Sequence, residues 1–259
     1  MGLTKYIKRP KVEFGKLWHK IKGYNRNKFL AFASSFRDKK GLEIGGPSPI
    51  FRKKGFLPVY TLAAQIDGVN FSNSTVWEGE ISEGNTYQYA PNHSGWQYIC
   101  EGNDLKKISD NSYDFVLSSH NLEHYANPLK AVAEWHRVLK PGGVLLMILP
   151  DKRFTFDHQR SYSAFDHLLE DYRNNTGEDD LTHLEEILEK HDVYMDPPSA
   201  NREFFKERSL KNIENRCLHH HVFNMELLNQ ILVHFDFKPL YTDHAPPYHM
   251  IVMGRKSDK

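Results

Sequence analysis

Three stretches of this sequence predict an α/β architecture: a doubly wound, mostly parallel sheet with helices on both faces. In the first, Leu42 and Ile44 alternate with Glu43 as a short strand that breaks at once into Gly45-Gly46-Pro47-Ser48-Pro49. In the second, a strand at Tyr113–Ser119 leads to a helix with Asn127 as its cap, Pro128 in its first turn, and an apolar stripe of Leu129, Val132, Trp135 and Leu139. In the third, Pro141-Gly142-Gly143 ends that helix, and Val144–Leu149 follows as a continuous apolar run, the pattern of a strand buried on both faces of a parallel sheet.

The 259 residues suit one main domain with additions, and a 39% hydrophobic content is enough to build a core. A net charge of +1 creates no overall basic field, so nucleic acid is not an expected partner. Cys100 and Cys217 stand too far apart for a CxxC metal or redox motif, which fits a reducing compartment. No apolar run approaches the roughly 18 residues of a membrane span, and the N-terminus lacks the apolar core of a signal peptide. The expectation is a soluble, cytoplasmic protein.

Residues 1–36 read as a basic helical extension and residues 37–259 as the main domain. Phe14, Leu17, Trp18 and Ile21 fall at helical spacing among many lysines. Such a helix can rest on an anionic membrane or a protein partner, or pack on the domain with its lysines solvated; both readings stay open.

The adjacent glycines after Ile44 let a ligand lie against bare backbone. The dinucleotide fingerprint is missing, because Glu43 precedes the glycines instead of following them by about 20 residues, and this order points away from NAD. Phe56–Leu62 then reads as the second strand, with Pro58 near its start and Asp67 the first acid after it. Residues 69–95 read as loop with one short strand, and Gln97–Cys100 as the third strand, running into Glu101-Gly102-Asn103-Asp104-Leu105. Residues from about 160 to 216 form a helical insertion, acidic from Asp166 to Asp192, and are the natural place for a lid or acceptor-binding cap. Asn224 caps a helix whose Leu227, Leu228 and Ile231 face inward, and strands at Phe237–Tyr241 and Tyr248–Gly254 close the chain.

Three motifs occur in order: Glu43-Ile44-Gly45; Asp114-Phe115-Val116-Leu117-Ser118-Ser119-His120 with Leu122-Glu123-His124; and Val138-Leu139-Lys140-Pro141-Gly142-Gly143 before an apolar strand. Together, over roughly residues 37–155, they resemble the class I S-adenosylmethionine-dependent methyltransferases of the small-molecule, type 11-like group. Pro47 departs from the pattern, standing where the family most often has its second glycine. The resemblance implies a Rossmann-like, seven-stranded sheet with an antiparallel last strand, S-adenosylmethionine as cofactor, and methyl transfer as the reaction. It implies cofactor contacts from Glu43, Gly45, Gly46, Pro47 and Ser48, and from Ser118 and Ser119 at the end of the fourth strand. It further implies Asp104 and Leu105 at the adenine, and an acid such as Asp67 at the ribose unless the ribose is held some other way.

A sulfonium methyl is already activated, so such a protein chiefly positions the acceptor. A hydroxyl acceptor also needs a base, most simply a histidine near its free pKa of about 6.5. His120, at the tip of the fourth strand, comes first, followed by His158, His220 and His221. The expected acceptor is a polar small molecule or, by resemblance to methyltransferases of bacterial glycan assembly, a glycan. No metal is assigned; a metal-assisted version through His219 and His221 with an acid stays open, as does a catalytically silent binding subunit.

Overall fold

The computed structural model describes residues 26–196, 199 and 201–258, so the basic segment around Phe14, Leu17, Trp18 and Ile21 lies outside the described residues. Along the chain the strands are β1 (Lys40–Ile44), β2 (Gln65–Asn70), β3 (Ser74–Thr75), β4 (Gly79–Glu80), β5 (Gly84–Ala90), β6 (His93–Ile99), β7 (Tyr113–Ser119), β8 (Leu139–Pro150), β9 (Phe237–Ala245) and β10 (His249–Lys256). The helices are α1 (Arg26–Leu30), α2 (Pro128–Val138), α3 (Phe165–Asn174), α4 (Leu184–Lys190), α5 (Arg202–Leu210), α6 (Asn212–Asn215) and α7 (Met225–His234).

The main sheet has eight strands in the order β5-β6-β2-β1-β7-β8-β10-β9. The five central strands from β6 to β8 are parallel, while β10 inserts antiparallel between β8 and β9. The apolar run in β8 is buried on both faces because its side chains alternate. Leu145, Met147 and Leu149 join one core with Trp135 and Leu228, whereas Val144, Leu146 and Ile148 join another with Phe36 and Phe115. The first core lies under α2, α3 and α7. The second lies under α1 and short 3-10 turns, where Phe29 contacts Phe36 at 5.6 Å and Tyr241 at 6.3 Å between ring centroids.

The helix caps follow the sequence. Asn127 accepts from the Lys130 amide and Asn224 from the Leu227 amide, each satisfying a donor that the first helical turn leaves free. Asn127 also donates to the Asp171 carbonyl, which ties the start of α2 to the end of α3.

Three expectations need correction. The sheet has eight strands, not seven, because β5 pairs antiparallel with β6 inside the stretch read as loop. Its polar residues hide a period of two in which only Tyr87 and Tyr89 turn inward. The second strand is Gln65–Asn70, not Phe56–Leu62; Val59–Thr61 is a 3-10 turn whose Val59 and Tyr60 plug the second core. The Pro141-Gly142-Gly143 turn lies inside β8, with Gly142 at φ +69°, and the helix ends just before it at Val138.

Candidate active site

The carboxyl ends of β1, β2, β6 and β7 open on one cleft of about 420 Å³, at the edge where open α/β sheets bind ligands. Its volume falls within the ~300–1,000 Å³ of small-molecule sites. Each strand contributes the residues just past its end: Gly45, Pro47 and Ser48 after β1, Asn70 and Phe71 at β2, Glu101 and Gly102 after β6, and Ser119 and His120 at β7.

The glycine loop owes its shape to a buried carboxylate. Glu43 accepts from the Tyr60 hydroxyl at 2.6 Å, the Tyr87 hydroxyl at 2.7 Å and the Ser48 amide at 2.9 Å. Burial raises its pKa, and the three donors work against that rise. Gly45 has φ +75°, and a Cβ there would fall 2.6 Å from the Asn121 amide nitrogen. A Cβ on Gly46 would fall 2.3 Å from the Glu43 carboxyl. Only bare backbone fits between support and cleft.

Across the loop, the Asn70 side chain donates to the Gly46 carbonyl at 3.1 Å and accepts from the Trp77 indole at 3.2 Å. The neutral Asn70 therefore occupies the end of the second strand. Asp67 lies three residues earlier within β2, where Lys40, Tyr113, Gln65 and the Trp96 amide satisfy it, and it does not line the cleft. Asp104 is half-exposed and pairs with Lys106 at 2.8 Å outside the cleft, while the Leu105 amide donates to Glu134. Glu101 and Gly102 take the place expected of that pair. Glu101 forms an ion pair with Arg216, whose guanidinium lies 5.1 Å from the Phe71 ring centre, so the helical insertion closes over this end.

The other end of the cleft carries His120, His124 and His219. His120 sits in the left-handed region at φ +50°, and its Nε2 lies 2.8 Å from His249 Nδ1. Burial, with the neighbouring histidines His249 and His219, pulls its pKa down to about 3, so it is neutral at pH 7. His219 is shifted the opposite way. Burial acts against its charge, but Asp157 beside its Nδ1 at 2.5 Å outweighs that and holds the pKa above the ordinary value. Glu123 lies behind these rings, buried, with both carboxylate oxygens lacking a hydrogen-bond partner among the described residues, and burial raises its pKa to about 7.

Of the sequence-derived candidates, the cleft thus gathers Gly45, Pro47, Ser48, Ser119 and His120, with Glu43 and Gly46 supporting the loop. Ser118, His158, His220 and His221 do not line it. Ser118 is buried within β7, His158 is exposed and faces Asp192 at 3.1 Å, and His220 is buried against Asn212 at 3.0 Å. His221 is buried against the Ala126 carbonyl at 3.1 Å. Asn70, Trp77, Glu101, Tyr125 and Arg216 are cleft residues that sequence reading missed, since none belongs to a spaced motif.

The cleft suits S-adenosylmethionine. The bare Gly45–Ser48 backbone would receive its amino-acid part, and Asn70, Gly102 and Tyr125 would flank the adenosine. Residues 60–147 match a family model described as a methyltransferase domain. No curated protein sequence matches the chain. Among solved structures, an S-adenosylmethionine-dependent methyltransferase from Mesorhizobium loti superposes with a TM-score of 0.52 at 12% identity, over 91% of this chain and 100% of that one. A candidate S-adenosylmethionine-dependent methyltransferase from Listeria monocytogenes gives a TM-score of 0.50 at 15% identity, over 89% and 97%. These structures share the fold. The methyltransferase-domain match lies within this shared fold, on the stretch that carries two of the three ordered motifs.

Proposed function

We propose that the protein methylates a hydroxyl of a polar small molecule or glycan-type acceptor, with a histidine as general base. The observation that carries this reading is the shared cleft: the glycine loop lines one side, and His219, backed by Asp157, lines the other. Bound cofactor supplies an electrophilic methyl on a sulfonium. The chain's residues then have to orient the acceptor, exclude water and take its proton. With Nδ1 held by Asp157, His219 keeps Nε2 for the acceptor proton, and the carboxylate stabilises the imidazolium that forms. His120 is the weaker base, because its environment disfavours the charged form. Asp196, Arg208 and Arg216 from the insertion also line the cleft, which favours a polar, hydrogen-bonding acceptor over an apolar one.

A second reading rests on one specific arrangement. Glu123, His124 and His219 each offer a ligand atom, all within 4.8 Å of one another. His124 Nδ1 faces the Leu218 carbonyl at 3.0 Å and His219 Nδ1 faces Asp157, which leaves both Nε2 atoms for an ion, as outer-shell partners of metal-bound histidines do. A divalent ion there would lower the pKa of an acceptor hydroxyl in place of a base. His219 and His221, paired in the sequence-based metal reading, belong to different clusters.

The test is transfer of labelled methyl from S-adenosylmethionine to a panel of polyhydroxylated small molecules and oligosaccharides, with and without a chelator. Transfer that survives chelation supports the histidine base, and loss restored by added ion supports the metal. Absence of binding to both S-adenosylmethionine and S-adenosylhomocysteine in calorimetry overturns both readings.

A further inference from the structure

Away from the cleft, four side chains from three separate segments converge: His167 and Asp171 one turn apart on α3, His183 just before α4, and His221 in the extended stretch before α7. Each offers one ligand atom, and all four atoms lie within 4.8 Å of one another. His167 Nε2 stands 3.0 Å from His183 Nε2 and 3.4 Å from Asp171 Oδ2. Bonds of about 2.1 Å to a tetrahedral ion set its ligand atoms about 3.4 Å apart, so these separations are close to the edge of such a site.

The hydrogen bonding makes the same point independently. Asp171 Oδ1 accepts from the Thr176 hydroxyl at 3.1 Å, while Oδ2 is buried and has no hydrogen-bond partner among the described residues. His221 is 1% exposed; its Nε2 meets the Ala126 carbonyl, and among the described residues its Nδ1 has no hydrogen-bond partner. Leaving such groups buried and unpaired is destabilising. Aspartate anchored through one oxygen and histidine anchored through one nitrogen are the arrangements that aim the remaining atom at a metal.

We infer that His167, Asp171, His183 and His221 bind a divalent transition ion of the zinc class. Three imidazoles and one carboxylate suit zinc better than calcium or magnesium, which take oxygen ligands. Four protein ligands close the coordination shell, so the ion is structural. It pins the helical insertion to the segment that carries His219 and, through the Asn127 bond to the Asp171 carbonyl, to the start of α2.

The test uses the full chain, stripped of metal and titrated with zinc, and separately with cobalt as a spectroscopic probe. The wild type should take up zinc with the visible absorption of tetrahedral cobalt in the parallel titration, and zinc should raise its Tm. His183→Ala and His167→Ala, both at partly exposed positions, should bind zinc at least ~100-fold more weakly, lose the cobalt spectrum and lose the zinc-dependent rise in Tm. His124→Ala should keep all three signals, which separates this site from the cluster in the cleft. Failure of the wild type to take up either ion overturns the inference. So does tetrahedral binding that persists in His183→Ala and His167→Ala but vanishes in His124→Ala.

Discussion

His219 Nδ1 lies 2.5 Å from Asp157 Oδ2, a contact that links the turn after β8 to the extended segment before α7 beside the cleft. Arg160 fixes both ends: it lies 3.2 Å from Asp157 Oδ1 and donates to the His220 carbonyl at 3.0 Å. Asp157 therefore acts as a positioning residue. His219→Ala should lower turnover by about 100-fold or more with little change in cofactor affinity, since a base acts mainly in the transition state. Asp157→Asn should lower kcat and move the pH profile, whereas a purely structural role would leave the profile in place. Single-turnover rates with a saturating acceptor check this.

The pH dependence distinguishes the two histidines. A base works when neutral, so activity should rise with pH through its pKa. For His219 that pKa is raised, so the rate should climb through a value above about 6.5. For His120 it is about 3, and activity would be flat across the neutral range. Glu123, near 7, titrates in the same window, so the rising limb should be measured in Glu123→Gln and should persist there. Its disappearance would transfer the limb to Glu123.

Gly45→Val should abolish detectable cofactor binding. The residue would face φ +75° and a Cβ contact 2.6 Å from Asn121 in the wall of the cleft. A β-branched side chain in that region adds strain of about 1–3 kcal/mol, enough to displace the loop. Calorimetric titration with S-adenosylhomocysteine provides the readout, and wild-type affinity would remove the loop from the site.

Glu43→Gln should loosen the same loop from beneath. An amide cannot accept from Tyr60, Tyr87 and the Ser48 amide together, so one buried group is left unpaired at a cost of about 1–3 kcal/mol. Chemical denaturation should show the loss in stability, and cofactor affinity should fall with it.

Asp104→Ala and Asn70→Ala should part company. Asp104 pairs with Lys106 on the surface, so its loss should leave cofactor affinity within the ~0.5 kcal/mol of ordinary surface changes. Asn70 bridges Gly46 and Trp77, and its loss should weaken binding by about 1–3 kcal/mol. The reverse ranking in calorimetry would return the adenine contact to Asp104.

What the sequence determined by itself was whatever local chemistry dictates. The β8 run admits only a strand buried on two faces, Asn127 and Asn224 announce their helices, and Glu43-Ile44-Gly45 marks a strand breaking into a ligand loop. Those features placed the sheet's carboxyl edge, and with it Gly45, Ser48, Ser119 and His120. The tertiary structure decided what depends on partners distant in the chain. Asp67 looks like a ribose acid until Lys40 and Tyr113 are seen to consume it, and Asn70 gains its place only because β2 starts at Gln65. The run of three histidines carries no hint that His219 enters the cleft, His220 the core, and His221 the cluster with His167 and His183. An extended segment turns successive side chains in different directions, and only the surfaces packed around it assign each one a role.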